Sequence, residues 1–414
     1  MRSPPQRIAD INVSPISVSS DERKLSFAYF RVEGPHGRAL RKVALRKAAP
    51  WKVALGQSGT KGILVMLNET RLTDLLAKFS TLRFAVIGDF FLDKYYDVDR
   101  SLEERSIETG LPAHQVTGIR VSPGAAGTVV QNLVALGAQH VRTIGFTGDD
   151  GEGYALRREL TKLGCETQFL VTAPDRYTPT YLKPRDRDDS SLQGEHSRYD
   201  TKNRTPTPTA IQEQIIAALT QTVSQVDAIL VMDQVEEPDC GVLTTRLIET
   251  INHLAAIHPQ PLWWADSRRR IHDYRHLIIK PNLFEATGNA EPLPPSGAIP
   301  PPLTARIREL VERNARPVIV TLGHRGVLVA ASADSEPVHV PAIPVPEPTD
   351  PTGAGDSFSA GMTLALAAGA TLTEAAMVGN LVASITVRQL ATTGTATPEQ
   401  LQKLVATLAP TITP

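Results

Sequence analysis

The feature that most constrains this chain is a series of short apolar runs, each closing on a polar or glycine residue. Leu82–Gly88, Ala228–Met232, Leu262–Ala265, Leu277–Lys280 and Val318–Thr321 are of strand length and apolar almost throughout. Runs of that kind read as strands buried on both faces. Helical patterns separate them: Val129–Leu136 stopping at Gly137, Gly153–Leu163 stopping at Gly164, Ile211–Val223, Val242–Leu254 and Thr304–Asn314. Two more follow, Asp356–Ala368 and Leu372–Leu390. A strand Val141–Gly145 joins the series. The alternation predicts an α/β fold, a mainly parallel sheet covered by helices on both faces. Ligands of such sheets bind beyond the carboxyl ends of the strands. There the sequence places Asp89, Asp233, Asp266, Asn282 and Gly323. Any one of these could cap a helix, but five together predict a site.

Two segments break the rhythm. Residues 95–121 and 177–200 are polar, carry β-type residues and lack a helical period. Two excursions from one core predict a small β lid over the site, with long loops as the plain alternative. The stretch 292–302 is too rich in proline for regular structure and reads as a surface insertion. Residues 1–65 differ from the rest. They are strongly basic, with weak periodicity and no signal-peptide core. They read as a disordered tail, an interaction segment, or sequence lying upstream of a start at Met66; the last is preferred. A helical pattern, Asn68–Ser80, opens directly after Met66. The expected organisation is therefore an extension over 1–65, one catalytic domain over 66–400, and a tail over 401–414.

Bulk properties exclude several classes. The chain has 414 residues, 41% hydrophobic and 21% charged, which is ordinary for a globular protein. A net charge of −1 gives no general electrostatic case for nucleic acid or an anionic membrane. Cys165 and Cys240 form no CxxC pair, so neither a disulfide scaffold nor a structural zinc site is expected. No apolar run approaches the roughly 20 residues of a membrane span. A cytoplasmic enzyme is the default expectation.

The chemistry concentrates in Asp350-Pro-Thr-Gly-Ala-Gly-Asp356, followed by a helix. Gly353, Ala354 and Gly355 let the backbone turn tightly and approach a ligand. The helix behind them starts with unpaired N–H groups and a positive dipole end, a place for phosphate. Asp356 stands at that start. A carboxylate there either caps the helix or accepts the proton of an attacking hydroxyl, and spacing alone weighs the two equally. No GxxxxGK[ST] occurs, and Gly56–Gly62 lacks both its spacing and the preceding strand.

The segment Asp350–Gly361 resembles the C-terminal signature of the ribokinase/PfkB carbohydrate kinases. Four other segments resemble that family in its order. They are Gly88–Asp93, Pro123–Gly137, Lys280–Glu285 and Thr321–Gly326. The first of these is similar to the heptose-phosphate kinase branch. The resemblance implies a ribokinase-like three-layer sandwich with a β lid, and ATP-dependent phosphorylation of a sugar or sugar phosphate. It implies Asp356 as base, with the backbone of Gly353, Ala354 and Gly355 as anion hole. Thr321, Gly323 and Gly326 would line the ATP site, with Asn282 near the phosphates and Asn380 near the adenine. Glu285 would organise Mg²⁺. Asp93, Gly124, Thr128 and Asp233 would meet the sugar. Asp350 and Thr352 resemble positions that bind a monovalent cation such as K⁺. By analogy a homodimer through the lid is expected. Lys183, Arg185 and Arg198 would either meet a phosphate already on the substrate or remain solvated lid charges.

The chain departs from the pattern at Ala125 and Thr128, where the branch has Gly and Asn, and at Gln234–Pro238, which lacks the branch's Tyr-x-Lys-Gly. A nucleotidyltransferase domain is not seen after residue 400, so a single activity is expected. A nucleoside or cyclitol kinase, or a catalytically silent sugar-binding regulator, remains an alternative. A dinucleotide-binding oxidoreductase is disfavoured, because no GxGxxG opens the first helix.

Overall fold

The computed structural model describes residues 67–189, 192–288 and 301–408, together with the backbone of three strands nearer the N-terminus. Those strands, β1 (Pro15–Ser19), β2 (Leu25–Gly34) and β3 (Gly37–Arg46), form an antiparallel sheet in the order β1-β2-β3. They belong to a unit separate from residues 58–414. The rest of the basic extension, the Gly56–Gly62 segment, and the proline-rich stretch up to residue 300 lie outside the described residues.

The larger unit is built on nine strands. In chain order they are β4 (Arg83–Gly88), β7 (His140–Gly148), β8 (Leu170–Ala173), β11 (Ala228–Asp233), β12 (Leu262–Ser267), β13 (Ile278–Ile279), β14 (Val318–Thr321), β15 (Val327–Ala330) and β16 (Val338–Val340). Across the sheet the order is β16-β15-β14-β13-β12-β11-β4-β7-β8. The strands pair in parallel from β8 to β14, and β15 and β16 add an antiparallel edge. The two-residue period of a strand divides the core. Phe84, Val86, Leu230 and Trp264 face one apolar layer. Ala85, Ile87, Ile229 and Trp263 face the other.

Helices cover both faces. On the first pack α1 (Glu69–Phe79), α2 (Ala126–Ala135), α8 (Ala354–Ala367), α9 (Leu372–Thr386) and α10 (Pro398–Leu408), through residues such as Leu72, Val129, Phe358, Val378 and Leu401. On the second pack α4 (Thr209–Thr222), α5 (Thr245–Ile257) and α7 (Pro301–Asn314), through Ile215, Leu247 and Ile307. The expected tail boundary at 400 is corrected here: α10 crosses it and buries Leu401 and Val405. Helix α3 (Gly151–Lys162) begins at Asp150, whose carboxylate accepts from Gly153 N and Thr178 N.

The lid is a four-stranded sheet in the order β10-β9-β5-β6, made of β5 (Phe90–Arg105), β6 (Pro112–Ala125), β9 (Thr180–Asp186) and β10 (Tyr199–Thr201). It grows directly out of the core, since β5 starts two residues after β4 ends. Asp89 makes that junction. Its buried carboxylate accepts amide hydrogen bonds from Gln234, Val235 and Val242, which fixes the turn after β11. The structure is thus a ribokinase-like three-layer α/β/α sandwich with a small β lid.

Candidate active site

The 350–356 segment is locked before it meets any ligand. Asp350 is buried, and its two carboxylate oxygens accept from Thr352 N at 3.0 Å and Ala391 N at 3.1 Å. Its own amide donates to Val387 O at 2.8 Å. Gly353 then takes φ 76°, a left-handed conformation that suits glycine, and becomes the N-cap of α8. The first-turn amides of α8 lack intrahelical acceptors and carry the positive end of the dipole.

Asp356 sits in that first turn, half-buried. Burial pushes its carboxyl up to about 7, with Asp266 adding to the rise and Lys280 and Arg268 opposing it. Lys280 follows β13 and is buried, its Nζ 2.8 Å from Asp266 Oδ2 at the end of β12. The same Nζ would lie 3.4 Å from a Cβ built on Gly355. Lysine, aspartate and phosphate-type turn therefore meet at one place, at the carboxyl ends of neighbouring strands.

The residues expected on the sugar side divide. Asp93 lies on β5 with its Oδ1 3.1 Å from Lys183 Nζ, and its Oδ2 would lie 2.8 Å from a Cβ at Gly124. Thr128 is buried on α2, its Cγ2 3.3 Å from where a Cβ of Gly353 would stand. Thr128 thus lies against the Gly353 turn, and Asp93 is near enough to Asp356 to act on its carboxyl. Asp233, also expected at the sugar, is held by neighbouring side chains. It is 2% exposed, accepts from Ser267 Oγ at 2.6 Å and pairs with Arg270 through both oxygens. Burial still raises its carboxyl to about 6 against the attraction of Arg270.

The residues expected on the nucleotide side gather along the β13–β16 edge. Asn282 and Thr321 pair as a parallel bridge. Gly326 has φ 88°, and a Cβ there would overlap the Val340 carbonyl oxygen. Gly323 also has positive φ, 59°, and is exposed. The Asn380 side chain donates to Pro341 O at 2.9 Å and Val340 O at 3.3 Å. Its amide nitrogen thus positions the 340–341 backbone, where an adenine contact was expected. Asn282 and Glu285 cap helix α6 (Leu283–Thr287) reciprocally, at 2.8 and 2.6 Å. Burial, then Asp266, raises the Glu285 carboxyl to about 7.

Of the three lid cations, none is left to solvent alone. Lys183 is buried against Asp93 and Tyr95, and Arg185 is buried. Arg198 pairs with Asp200 and stacks over the Tyr181 ring. A pocket lies between lid and core, lined by Phe91, Tyr181, Lys202, Gln234, Glu236 and Arg268, and of these Arg268 is near enough to act on the Asp356 carboxyl. Sequence reasoning placed Asp266 among the strand ends but missed Lys280. The signal was there in the triplet Lys280-Pro-Asn282, which fixes the lysine at the mouth of the strand.

Among the described residues no three His, Cys, Asp or Glu side chains converge into a metal cage. A Mg²⁺ held by one or two carboxylates, water and nucleotide phosphates needs no such cage.

Known proteins with the same organisation agree. The family model described as pfkB family carbohydrate kinase matches residues 84–400. The bifunctional protein HldE of Hyphomonas neptunium is 31% identical over 346 residues, 82% of this chain and 67% of that protein. The HldE of Caulobacter vibrioides is 30% identical over 311 residues, 74% of this chain and 60% of that protein. The chain thus spans about two thirds or less of the length of these curated relatives. Among solved structures, phosphofructokinase-2 of Escherichia coli with fructose-6-phosphate matches with a TM-score of 0.56 and 19% identity, over 79% of this chain and 99% of that one. Ribokinase of Thermotoga maritima matches with a TM-score of 0.54 and 20% identity, over 80% and 99%. With motif order, fold and family model in accord, the chain belongs to the pfkB family of carbohydrate kinases.

Proposed function

We propose that this kinase transfers the γ-phosphoryl group of ATP to a hydroxyl of a sugar phosphate, with Asp356 as general base and the 353–355 amides as anion hole. The observation that carries the reading is Asp356 in the first turn of α8, one residue beyond that turn, with a carboxyl lifted to about 7. A base near neutrality accepts a proton from an alcohol as it attacks and is deprotonated in a useful fraction at working pH. Phosphoryl transfer needs positioning and charge neutralisation more than covalent chemistry. Amides at the α8 N-terminus and a hydrated Mg²⁺ at Glu285 would supply the neutralisation. The lid would exclude competing water.

The phosphorylated acceptor rests on two supports. The HldE relatives point to a heptose phosphate, and the pocket between lid and core carries Arg268 and Lys202. The Tyr-x-Lys-Gly of that branch is replaced by Gln234–Pro238, so the phosphate grip would move to these two cations. A monovalent cation such as K⁺ is supported by the buried Thr393 hydroxyl, which has no hydrogen-bond partner, on a side chain whose Cγ2 would lie 3.4 Å from a Cβ at Gly353. E. coli phosphofructokinase-2 has been solved with potassium. The lid exposes Ile107 and Leu111 at its β5–β6 turn and Ile119 farther along β6, apolar surface that supports a homodimer through the lid. No helix among the described residues is long and apolar enough to cross a membrane, and a cytoplasmic location is part of the proposal.

The decisive experiment is ADP release with paired sugars and sugar phosphates, for the wild type and for Asp356→Asn. Turnover should drop by roughly 10³-fold or more in the variant, while ATP binding stays within about threefold. Wild-type turnover in Asp356→Asn would defeat the mechanism.

A further inference from the structure

The charge balance of the cleft floor is unusual. Asp266, Glu285 and Asp356 bring three carboxylates to the place where a polyanionic nucleotide must deliver its terminal phosphoryl group. The groups facing this floor are Asp266 at the end of β12, Arg268 just after it, Lys280 after β13, Glu285 on α6, Asp356 on α8 and Asp93 on the lid strand β5. The cations among them are Lys280 and Arg268. Arg268 is half-exposed, hydrogen bonds Gln234 at 2.9 Å and reaches Glu236 at 3.9 Å. Lys280 is 4% exposed and has no freedom to leave.

A buried ammonium needs a reason, because removing it from water is costly. Asp266 offers one partner at 2.8 Å. An ammonium carries three donors, so a single carboxylate leaves donor capacity unused. The position of the nitrogen is the second clue. It touches the face of Gly355, where a Cβ would stand 3.4 Å away, and Gly355 is exposed to the cleft. The phosphoryl group that uses the 353–355 amides must come within reach of the same nitrogen.

We propose that Lys280 is a catalytic residue whose ammonium, anchored by Asp266, binds the non-bridging oxygens of the phosphoryl group as it passes from nucleotide to acceptor. The inference rests on the kinase reading above. In the step, the acceptor oxygen forms a bond to the γ-phosphorus and the bond from that phosphorus to the β–γ bridging oxygen breaks. The electron pair of that bond stays with ADP, and the hydroxyl proton passes to Asp356. Lys280 exchanges no proton. Its charge offsets the negative charge gathered on the equatorial oxygens, in a site where water cannot screen it. Asp266 is then a positioning residue, which holds the ammonium at the height of Gly355.

The test compares Lys280→Met and the double variant Asp266→Asn/Lys280→Met with the wild type. It uses ADP release at saturating ATP and direct titration with a fluorescent ADP. The single variant should lose about 10²- to 10³-fold in kcat, as removal of one oxyanion donor does, with ADP affinity changed less than about fivefold. It leaves Asp266 unpaired and is expected to unfold at lower temperature. The double variant removes both charges, should regain thermal stability, and should stay as slow as the single one. Recovery of wild-type kcat in the double variant would reduce Lys280 to a partner for Asp266 and overturn the proposal. So would a single variant within threefold of wild type. If Asp356→Asn is inactive in the same assay while Lys280→Met is not, this inference fails and the kinase reading stands. If Asp356→Asn is active, both fail.

Discussion

Asp93 and Lys183 form an ion pair of 3.1 Å that joins two parallel neighbours of the lid sheet, each side chain about 10% exposed. Lys183 also donates to the Tyr95 hydroxyl at 3.3 Å, so one buried ammonium holds the first-strand motif and the returning lid strand together. Breaking a buried pair from one side leaves a bare charge. Lys183→Met is therefore expected to destabilise the fold by about 2–4 kcal/mol, read as a lower thermal midpoint. Lys183→Met combined with Asp93→Asn should restore most of that stability. The KM for the acceptor should stay raised in the pair, because Asp93 faces the cleft beside Gly124.

Gly326 makes the second prediction. Its backbone has φ 88°, and an added Cβ would collide with the Val340 carbonyl oxygen, part of the backbone that Asn380 also holds. Gly326→Ala is expected to push the β14–β15 turn away from β16. If the turn lines the ATP site as proposed, the effect should fall on nucleotide affinity, with KM for ATP up about tenfold and acceptor KM unmoved. Equal losses in both constants would place the turn elsewhere in the mechanism.

The parallel sheet was legible because its strands are buried on both faces and their sequences say so. Ile229 and Leu230 go to opposite layers, yet both are apolar. The lid was legible as a break in that pattern. The antiparallel edge was not: Val327–Ala330 and Val338–Val340 are short and separated by a polar turn, and only the pairing of β15 with β14 and of β16 with β15 makes them strands. In the site, the glycines and Asp356 were visible through spacing. The pairing of Asp233 was not visible, because a strand-end aspartate looks the same in sequence whether or not an arginine meets it. Its partner, Arg270, is brought over it by the turn after β12, a tertiary fact. The contacts of Asn380 were equally out of sight, since the carbonyls it serves are about 40 residues away in sequence.

Ala125 supplies a prediction about stability alone. It stands between β6 and α2 with φ 53° and ψ −118°, a conformation that suits glycine and strains any residue with a Cβ. Ala125→Gly removes the strain but gives the unfolded chain more freedom. The strain is the larger quantity, so the variant should gain about 0.5–1 kcal/mol, measured as a higher urea midpoint at unchanged slope. A lower midpoint would mean that the turn carries no strain at this residue.

Asp356 links activity to stability through one proton. Its folded carboxyl titrates near 7, against an ordinary aspartate value of 3.8, because burial and then Asp266 disfavour the charged form. The folded state therefore holds its proton more tightly than the unfolded state. The sign follows: the group imposes no cost below about pH 4, costs progressively more as pH rises through its folded value, and the cost is constant above it. Activity runs the other way, since the base works only when deprotonated. kcat/KM should fall about tenfold per pH unit below 7, as for a single essential base. Asp356→Asn cannot ionise, so at pH 8 it should be more stable than wild type by about 1–2 kcal/mol, with allowance for its contact with solvent. At pH 4 the difference should vanish. Thermal unfolding at the two pH values, beside a pH–rate profile of the wild type, measures both halves. An Asn variant that is inactive yet no more stable at pH 8 would place the acid limb of the profile on another group, with Glu285, raised to about 7 by the same burial, as the next to examine.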